Sequence, residues 1–225
     1  MNSLHRLILI TLAALLPFVI ATSQLESESH LDPLERKCPQ GEYPGFEVNT
    51  FQFDVPAVKF YDAVGSFFHS EWYVSDISVI LTFALWVDFL RIRQTGPLTS
   101  TRGKDNTVGA TRNGTFSGNA YSERLVEYSR SPSKLVMRFT QHSDPDVFNT
   151  APNNLGDAFL LGPYTEELGV YSICGGTATY LSLTSVYCTD KIVLMYDVYQ
   201  SQRRSAIGGV ATTLRARVFD GTCPI

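Results

Sequence analysis

An arginine and a glutamate, Arg112 and Glu123, are the residues of this sequence whose types and spacing most directly suggest chemistry. They lie in the segment NTVGATRNGTFSGNAYSERLVEYS, residues 106–129, whose two runs around SGNA predict a β-hairpin. With SGNA as the connection, Phe116 pairs with Tyr121, Gly114 with Glu123 and Arg112 with Leu125. Side chains alternate along a strand, so Arg112 and Glu123 share the apolar face that the core should cover.

Burying either charge alone would cost several kcal/mol, so we expect the two side chains to pair or to meet a ligand. An arginine there could hold a carboxylate or enolate oxygen of a ligand. A desolvated glutamate could act as a general base. Phe116 and Tyr121 share this face and complete the candidate pocket. A structural ion pair at the end of the sheet is the alternative interpretation.

The next residue along the strand supports the same orientation. Asn113-Gly114-Thr115 is a glycosylation sequon, and a glycan on Asn113 must lie in solvent. Because a strand residue and its neighbour point to opposite faces, Arg112 should then point inwards.

Tyrosines form a second group of candidates. Tyr171, Tyr187 and Tyr196 lie on predicted strands, where an inward phenol could donate a hydrogen bond to a ligand oxygen. Most of these tyrosines are expected to be packing residues. The sequence contains no metal-binding spacing, Walker loop, dinucleotide fingerprint or G-x-S-x-G elbow. It therefore predicts no metal and no cofactor.

The start of the chain predicts a secreted protein. His5 and Arg6 precede an uncharged apolar stretch, and small residues follow at Ala21 and Ser23, so residues 1–23 fit a signal peptide. The other apolar run, VILTFALWV, is shorter than the roughly 20 residues that span a membrane. The net charge of -4 is spread without a basic run, which argues against a nucleic-acid partner. The oligomeric state is not indicated.

After an extended lead-in, residues 24–45, one domain is predicted over residues 46–225. Its predicted strands are 46–54, 108–116, 121–128, 135–140, 167–173, 177–187 and 192–199. One or two short helices follow the first strand, and a final helix begins at Ser205. Residues 141–163 are predicted to carry a short helix or a flap, because they are long for a loop. Residues 79–92 are compatible with a buried strand, a helix, an insertion or a translated intron.

This order of elements, and the stretch TVGATRNGTFSGNAYSERLVEYSRSPSKLVMRF in particular, resembles the START-like superfamily. That superfamily includes birch-pollen-allergen-type proteins, polyketide cyclases and plant hormone receptors. The resemblance implies an α+β helix-grip fold, in which a curved antiparallel sheet of about seven strands surrounds a C-terminal helix, with two short helices after the first strand. In the hormone-receptor branch the glutamate that corresponds to Glu123 faces the ligand cavity. The glycine-rich loop of the pollen allergens is replaced here by TRGKDNT.

Four cysteines, Cys38, Cys174, Cys188 and Cys223, predict two disulfides in an oxidising compartment. Cys174 and Cys188 flank one strand, which separates them too far to bond. The helix-grip order then implies that Cys38 pairs with Cys174 and Cys188 with Cys223.

The fold implies a concave, mostly apolar cavity between sheet and helix. We expect a secreted protein that holds a small hydrophobic molecule there, a lipid, polyketide or terpenoid. One alternative is a cyclase or isomerase that uses the same cavity, with Glu123, Arg112 and tyrosines supplying acid, base and oxyanion support. The other is a secreted interaction protein whose barrel is packed shut.

Overall fold

The computed structural model describes residues 36–69, 72, 98–116, 119–142, 146–148 and 158–224. The predicted signal peptide and the apolar run at residues 79–92 lie outside these ranges. Within them the chain forms a curved antiparallel sheet and two α-helices. The strands are β1 (Tyr43–Phe53), β2 (Ser100–Arg102), β3 (Thr111–Phe116), β4 (Asn119–Arg130), β5 (Lys134–Gln141), β6 (Asp146–Phe148), β7 (Phe159–Leu161), β8 (Thr165–Ile173) and β9 (Ala178–Thr189). The helices are α1 (Ala57–Val64) and α2 (Ile192–Leu214).

The strand order confirms the predicted helix-grip fold. Neighbouring strands run in the order β2-β3-β4-β5-β8-β9, and β1 closes this row by pairing with β9 along its whole length. The short β6 and β7 form a hairpin that meets the end of β9. A register shift between Leu125 and Glu127 marks an irregularity in β4 that bends the strand. The long helix α2 follows β9 and packs against β1 and β9.

The core lies between the concave face of the sheet and the two helices. Alternate residues of the strands are buried there, because one face of each strand points at the helices. Helix α1 buries Ala57, Phe60, Tyr61 and Val64, whereas Val58 is exposed. Ile207 and Val210 bring α2 into the same cluster. Trp72, farther along the chain, is also helical, in a 3₁₀ turn, and the residues on either side of it lie outside the described ranges.

Helix α2 corrects the prediction for the C-terminal region. The predicted strand at residues 192–199 is wrong, because Ile192 begins a continuous helix that ends at Leu214. Its opening sequence, IVLMYDVY, is rich in β-branched and aromatic residues, which favour strands locally. The preceding strand has already ended at Thr189, and the Thr189 hydroxyl accepts the backbone N–H of Lys191. Arg215, in the left-handed region at φ 54°, ends the helix.

The segment between β5 and β8 was predicted to carry a short helix or a flap. Its described residues contain the two strands β6 and β7 and no helix. Asp190 holds this hairpin to the end of β9, since its Oδ1 accepts the backbone N–H of Leu160 at 2.8 Å. The other strand absent from the sequence prediction is β2, which pairs with β3.

The disulfides join Cys38 to Cys188 and Cys174 to Cys223. The expected number is confirmed, but the expected pairing, Cys38 with Cys174 and Cys188 with Cys223, is wrong. The extra predicted strand at residues 192–199 is the cause of both wrong pairs. Because β1 pairs antiparallel with β9 itself, Tyr43 lies beside Thr189, and Cys38 therefore reaches Cys188. Helix α2 then runs back along the sheet and delivers Cys223 to Cys174.

Candidate functional site

Arg112 and Glu123 lie directly opposite each other on β3 and β4, on the concave face. Their register is two residues away from the predicted one, in which Arg112 faced Leu125 and Gly114 faced Glu123. A shift of two residues keeps every side chain on its predicted face. The Arg112 Nε lies 2.6 Å from the Glu123 Oε2, and the two residues are only 2% and 7% exposed. The predicted meeting of the two charges is therefore present.

Each partner of this pair makes a further contact with another element. Arg112 Nη1 donates to the carbonyl oxygen of Phe67, after α1, at 2.7 Å. The Tyr164 hydroxyl donates to Glu123 Oε1 at 3.1 Å. The Arg112 guanidinium also lies 4.5 Å from the ring centroid of Phe67 and 4.8 Å from that of Phe139, within the range of cation–π attraction. Both oxygens of the Glu123 carboxylate therefore have donors.

Burial dominates the electrostatics of Glu123. Loss of solvent raises the pKa of Glu123, and the Glu166 carboxylate raises it further. The Arg112 guanidinium and the Tyr164 hydroxyl act in the opposite direction, because they stabilise the charged form. The arrangement is a desolvated ion pair that joins the hairpin to α1 and to the residue before β8.

A second buried polar cluster lies across β1, β9 and β8, under α2. In the sheet, Ser185 is directly opposite Glu47 on one side and Glu166 on the other. Arg203 of α2 reaches down to this row, with its Nη2 3.1 Å from Glu166 Oε2 and in hydrogen-bond contact with the Ser185 hydroxyl. Arg203 is 2% exposed and Glu166 8%. This ion pair connects the C-terminal helix to the floor of the sheet.

Glu47 has one carboxylate oxygen paired and one unpaired within the described residues. Its Oε1 accepts the Asn49 side-chain N–H at 2.5 Å, while its Oε2 has no hydrogen-bond partner among the described residues. Burial raises the pKa of Glu47, against the opposing effect of Arg203 and Asn49, and Glu166 raises it further. Glu47 also contributes to raising the pKa of Tyr187 to about 12, for which burial is the main cause.

A groove of about 520 Å³ opens beside this cluster, between β1 and α2. Its apolar lining includes Phe51, Phe53 and Ile207, and its polar lining includes Asn49 and Gln200. Arg204 and Gly208 lie along its α2 side, and Val218 at its C-terminal end. A Cβ added to Gly208 would meet no atom within 4 Å, so this glycine leaves open space. The groove combines an apolar body with polar groups towards Glu47.

The other predicted site residues are dispersed. Tyr121 packs over Gly114, where an added Cβ would lie 2.6 Å from the Tyr121 hydroxyl oxygen. Tyr187 is buried on the concave face, in a cluster with Phe159, Leu161, Tyr164 and Met195. Phe116 lies in β3, and its side chain is outside the described part of the chain.

Two predicted pocket tyrosines do not face the core. Tyr171 lies on the other face of β8, in ring contact with Tyr180 at 6.1 Å between centroids. Tyr196 is on α2 rather than on a strand, and it is 48% exposed. Asn113 lies on the face opposite Arg112, as predicted, and its Nδ2 donates to the Ser100 hydroxyl at 2.8 Å. Whether Asn113 carries a glycan stays a prediction.

Glu47, Glu166 and Arg203 were not predicted from the sequence as site residues. Glu47 and Asn49 alternate with Phe46 and Val48, and this pattern favours the aromatic and aliphatic side chains inside. The structure has the opposite arrangement, with Phe46 and Val48 48% and 43% exposed. Arg203 was not assigned to a helix, so its place above the sheet had no signal. Had α2 been predicted with its true bounds, the pair Arg203-Arg204 on a helix that packs on the sheet would have indicated a buried charge.

No protein-family model matches the chain, and no curated protein matches it. The described residues contain no helix that is both long and apolar enough to cross a membrane.

Solved structures of similar shape exist at low sequence identity. A protein from Nitrosospira multiformis is 15% identical, with a TM-score of 0.46 over 75% of this chain and 94% of that one. The Zhui aromatase/cyclase from a Streptomyces species is 11% identical, with a TM-score of 0.49 over 76% and 93% of the two chains. Norcoclaurine synthase from Thalictrum flavum, in complex with dopamine and hydroxybenzaldehyde, is also 11% identical, with a TM-score of 0.43 over 77% and 88%.

Proposed function

We propose that this protein binds a small, mostly apolar molecule between its sheet and its C-terminal helix, and that it does so outside the cell. The observation that carries the proposal is the groove between β1 and α2. Its volume of about 520 Å³ lies within the range of roughly 300–1,000 Å³ that small-molecule sites occupy. Its walls are largely apolar, with a few polar groups at one side, which is the composition that such sites share.

The groove has room that its own side chains do not fill. Phe51 and Phe53 form one wall from β1, and Ile207 and Ala211 form the other from α2. Gly208 removes a side chain from the α2 wall at the point where an added Cβ would meet nothing. An aromatic or aliphatic ligand could therefore exchange water for contacts with these rings and methyl groups, which is the main source of affinity for an apolar body.

Binding has more support than catalysis as the role of this protein. A cofactor-independent cyclase or isomerase would need an acid or base that is free to exchange a proton with its substrate. Glu123 is the predicted base, yet its two oxygens accept from Arg112 and Tyr164. A ligand-contacting role for Arg112, Glu123, Tyr121 and Phe116 stays a prediction, and the contacts of the first two give them a structural role without a ligand.

Two disulfides support a secreted protein, because such bonds persist in oxidising compartments and are rare in the cytosol. Each joins a segment outside the sheet to β9 or to the turn before it. We therefore place the proposed binding activity outside the cell, where the ligand would be carried in an aqueous medium.

Filling the groove tests the proposal. The probe is Prodan, an uncharged naphthalene dye whose fluorescence shifts when it leaves water. We expect the unmodified protein to take up Prodan, Gly208→Ala to bind it within about two-fold of the unmodified protein, and Gly208→Phe to bind it at least about ten-fold more weakly, a difference of ~1.4 kcal/mol.

A matched control places the same bulk outside the groove. Thr213 is exposed on α2 and does not line the groove, so Thr213→Phe should bind Prodan like the unmodified protein. Failure of the unmodified protein to bind Prodan, or equal binding by Gly208→Phe, would refute the proposed groove.

A further inference from the structure

The Glu47 carboxylate beside the groove indicates what kind of ligand the groove binds. This inference rests on the proposed function. Glu47 is 3% exposed, and its Oε2 has no hydrogen-bond partner among the described residues. A buried polar atom without a partner loses its hydration without compensation, at a cost comparable to a lost hydrogen bond. A group that donates a hydrogen bond to this oxygen would remove that cost.

An acceptor without a partner also lies on the facing helix. The Oε1 of Gln200, which lines the groove, has no hydrogen-bond partner in the described part of the chain. Glu47 and Gln200 thus carry unpartnered oxygens on β1 and α2, the two elements that form the groove. Each of these acceptors needs a donor.

The charges around Glu47 restrict what kind of donor fits. Arg203 and Arg204 of α2 and Glu166 of β8 are the charged groups whose fields reach Glu47. Together with Glu47 they are two cations and two anions, of which Arg204 is exposed and screened by solvent. An anionic ligand group would add to the negative charge of Glu47 and Glu166, and a cationic group would lose its hydration beside Arg203, which is costly in a buried position. A neutral donor leaves the balance unchanged.

The groove between β1 and α2 lies next to Glu47. Asn49 lines the groove and donates to Glu47 Oε1, so the carboxylate lies directly behind a lining residue. On the same face of β1, Phe51 and Phe53 continue the groove away from Glu47. A molecule with an apolar body on these rings would therefore have its polar end towards Glu47.

We propose that the ligand is an apolar alcohol or phenol whose neutral hydroxyl group donates a hydrogen bond to the Glu47 carboxylate. The hydroxyl replaces the missing donor, and its own oxygen remains available to the side-chain amide of Asn49 or Gln200. An ether of the same skeleton fits the apolar part of the groove and lacks the donor.

A matched pair of probes tests this without changing the protein. 2-Naphthol and 2-methoxynaphthalene share one ring system, and only the first can donate. We expect the unmodified protein to bind 2-naphthol roughly ten-fold or more tightly than the ether at pH 7, measured by fluorescence titration, as for a hydrogen bond to a charged acceptor. 2-Naphthoate and 2-naphthylmethylammonium carry a negative and a positive charge on the same ring system, and both should bind more weakly than 2-naphthol.

Variants then assign the preference to Glu47. Glu47→Gln keeps the shape and one weaker acceptor, so the preference for 2-naphthol should fall to about three-fold or less, and Glu47→Leu should abolish it. Glu127, on the outer face of the sheet, gives the control, because Glu127→Gln removes a carboxylate away from the groove and should keep the full preference. If Glu47→Leu does not fold, the probe pair on the unmodified protein and on Glu47→Gln still decides the outcome.

The outcomes separate the two proposals. Equal binding of naphthol and ether would leave the groove as a binding site and overturn the role of Glu47, whose oxygen would then be hydrated. Tighter binding of either charged probe, or a preference that survives in both Glu47 variants, would overturn it as well. If neither naphthol nor its ether binds, the proposed function itself fails.

Discussion

The Arg112 guanidinium lies 2.6 Å from the Glu123 carboxylate, and through the Phe67 carbonyl oxygen it also holds the segment after α1 against the hairpin. Removing one charge of such a pair leaves the other buried without a partner. We therefore expect Arg112→Met to lower the free energy of unfolding by about 3–5 kcal/mol. In the double variant Arg112→Met/Glu123→Leu no charge is stranded, and most of that loss should be recovered. Urea denaturation of the three proteins measures this.

The outer face of the sheet supplies the control for that cycle. Arg138 pairs with Glu167 at 2.6 Å, in a partly exposed position. Arg138→Met should cost only about 0–1 kcal/mol, because solvent screens such pairs. A loss for Arg112→Met as small as this one would contradict the structural role assigned to the buried pair.

The disulfide connectivity gives a direct prediction. Peptide mapping of the unreduced protein by mass spectrometry should find Cys38 linked to Cys188 and Cys174 to Cys223. The two bonds close loops of 150 and 49 residues, and chain entropy predicts losses of roughly 5 and 4 kcal/mol on replacing either cysteine pair by serine. A peptide that links Cys38 to Cys174 would show that β1 does not pair with β9 as described.

The buried Glu47 predicts a dependence of stability on pH. Its pKa is raised above the ordinary 4.5, so the folded state binds a proton more tightly than the unfolded chain does. The resulting stabilisation is fully present below 4.5 and is lost as pH rises through the raised folded-state pKa. The free energy of unfolding of the unmodified protein, relative to Glu47→Gln, should therefore decrease from pH 4 to pH 7.

Urea denaturation of both proteins at a series of pH values measures the difference between their free energies of unfolding. A difference that grows with pH would mean that ion pairing with Arg203, rather than burial, dominates at Glu47. Glu123 shifts in the same direction, and it is present in both proteins of the comparison, so its effect cancels.

Two glycines should respond oppositely to the same substitution. A Cβ added to Gly45 would lie 2.2 Å from the Tyr187 ring, and that ring is 1% exposed and cannot move aside easily. Gly45→Ala should lower the free energy of unfolding by about 1–3 kcal/mol. Gly208→Ala, on an open helix face, should raise it by roughly 0.5–1 kcal/mol. Thermal or urea unfolding of both variants distinguishes these signs, and stabilisation by Gly45→Ala would contradict the packing of Tyr187.

Expression of the full sequence in eukaryotic cells tests the predicted processing. The protein should appear in the medium without residues 1–23 and with a glycan that N-glycosidase removes. Asn113→Gln should give the mass of the deglycosylated protein. Retention inside the cells would contradict the predicted signal peptide, and an unmodified mass in the medium would show that the Asn113 sequon is not used.

The orientation of Arg112 and Glu123 could be predicted because it depends only on the alternation of side chains. The hairpin register was two residues off, and a shift of an even number leaves every residue on the same face. For the same reason the pairing of two buried charges followed from energy alone, without knowledge of the turn.

The course of the C-terminal region could not be predicted, because local preference and tertiary structure disagree there. Ile192, Val193 and Tyr196 favour a strand by their own propensities, but they begin α2, where Val193 and Tyr196 are exposed. That one error added a strand, placed both chain termini at the wrong ends of the sheet and exchanged the disulfide partners. Because of the same error Arg203 was not assigned to a helix, and the polar cluster that contains Glu47 was not predicted.

The two disulfides have a mechanical consequence. Cys188 near one end of β9 is joined to the segment before β1, and Cys174 just before the other end is joined to the segment after α2. A force applied between Cys38 and Cys223 would pass through covalent bonds along β9 alone. Neither α2 nor the hairpin would bear tension, and the oxidised protein could be stretched from these two points by little more than the straightening of one strand that is already extended.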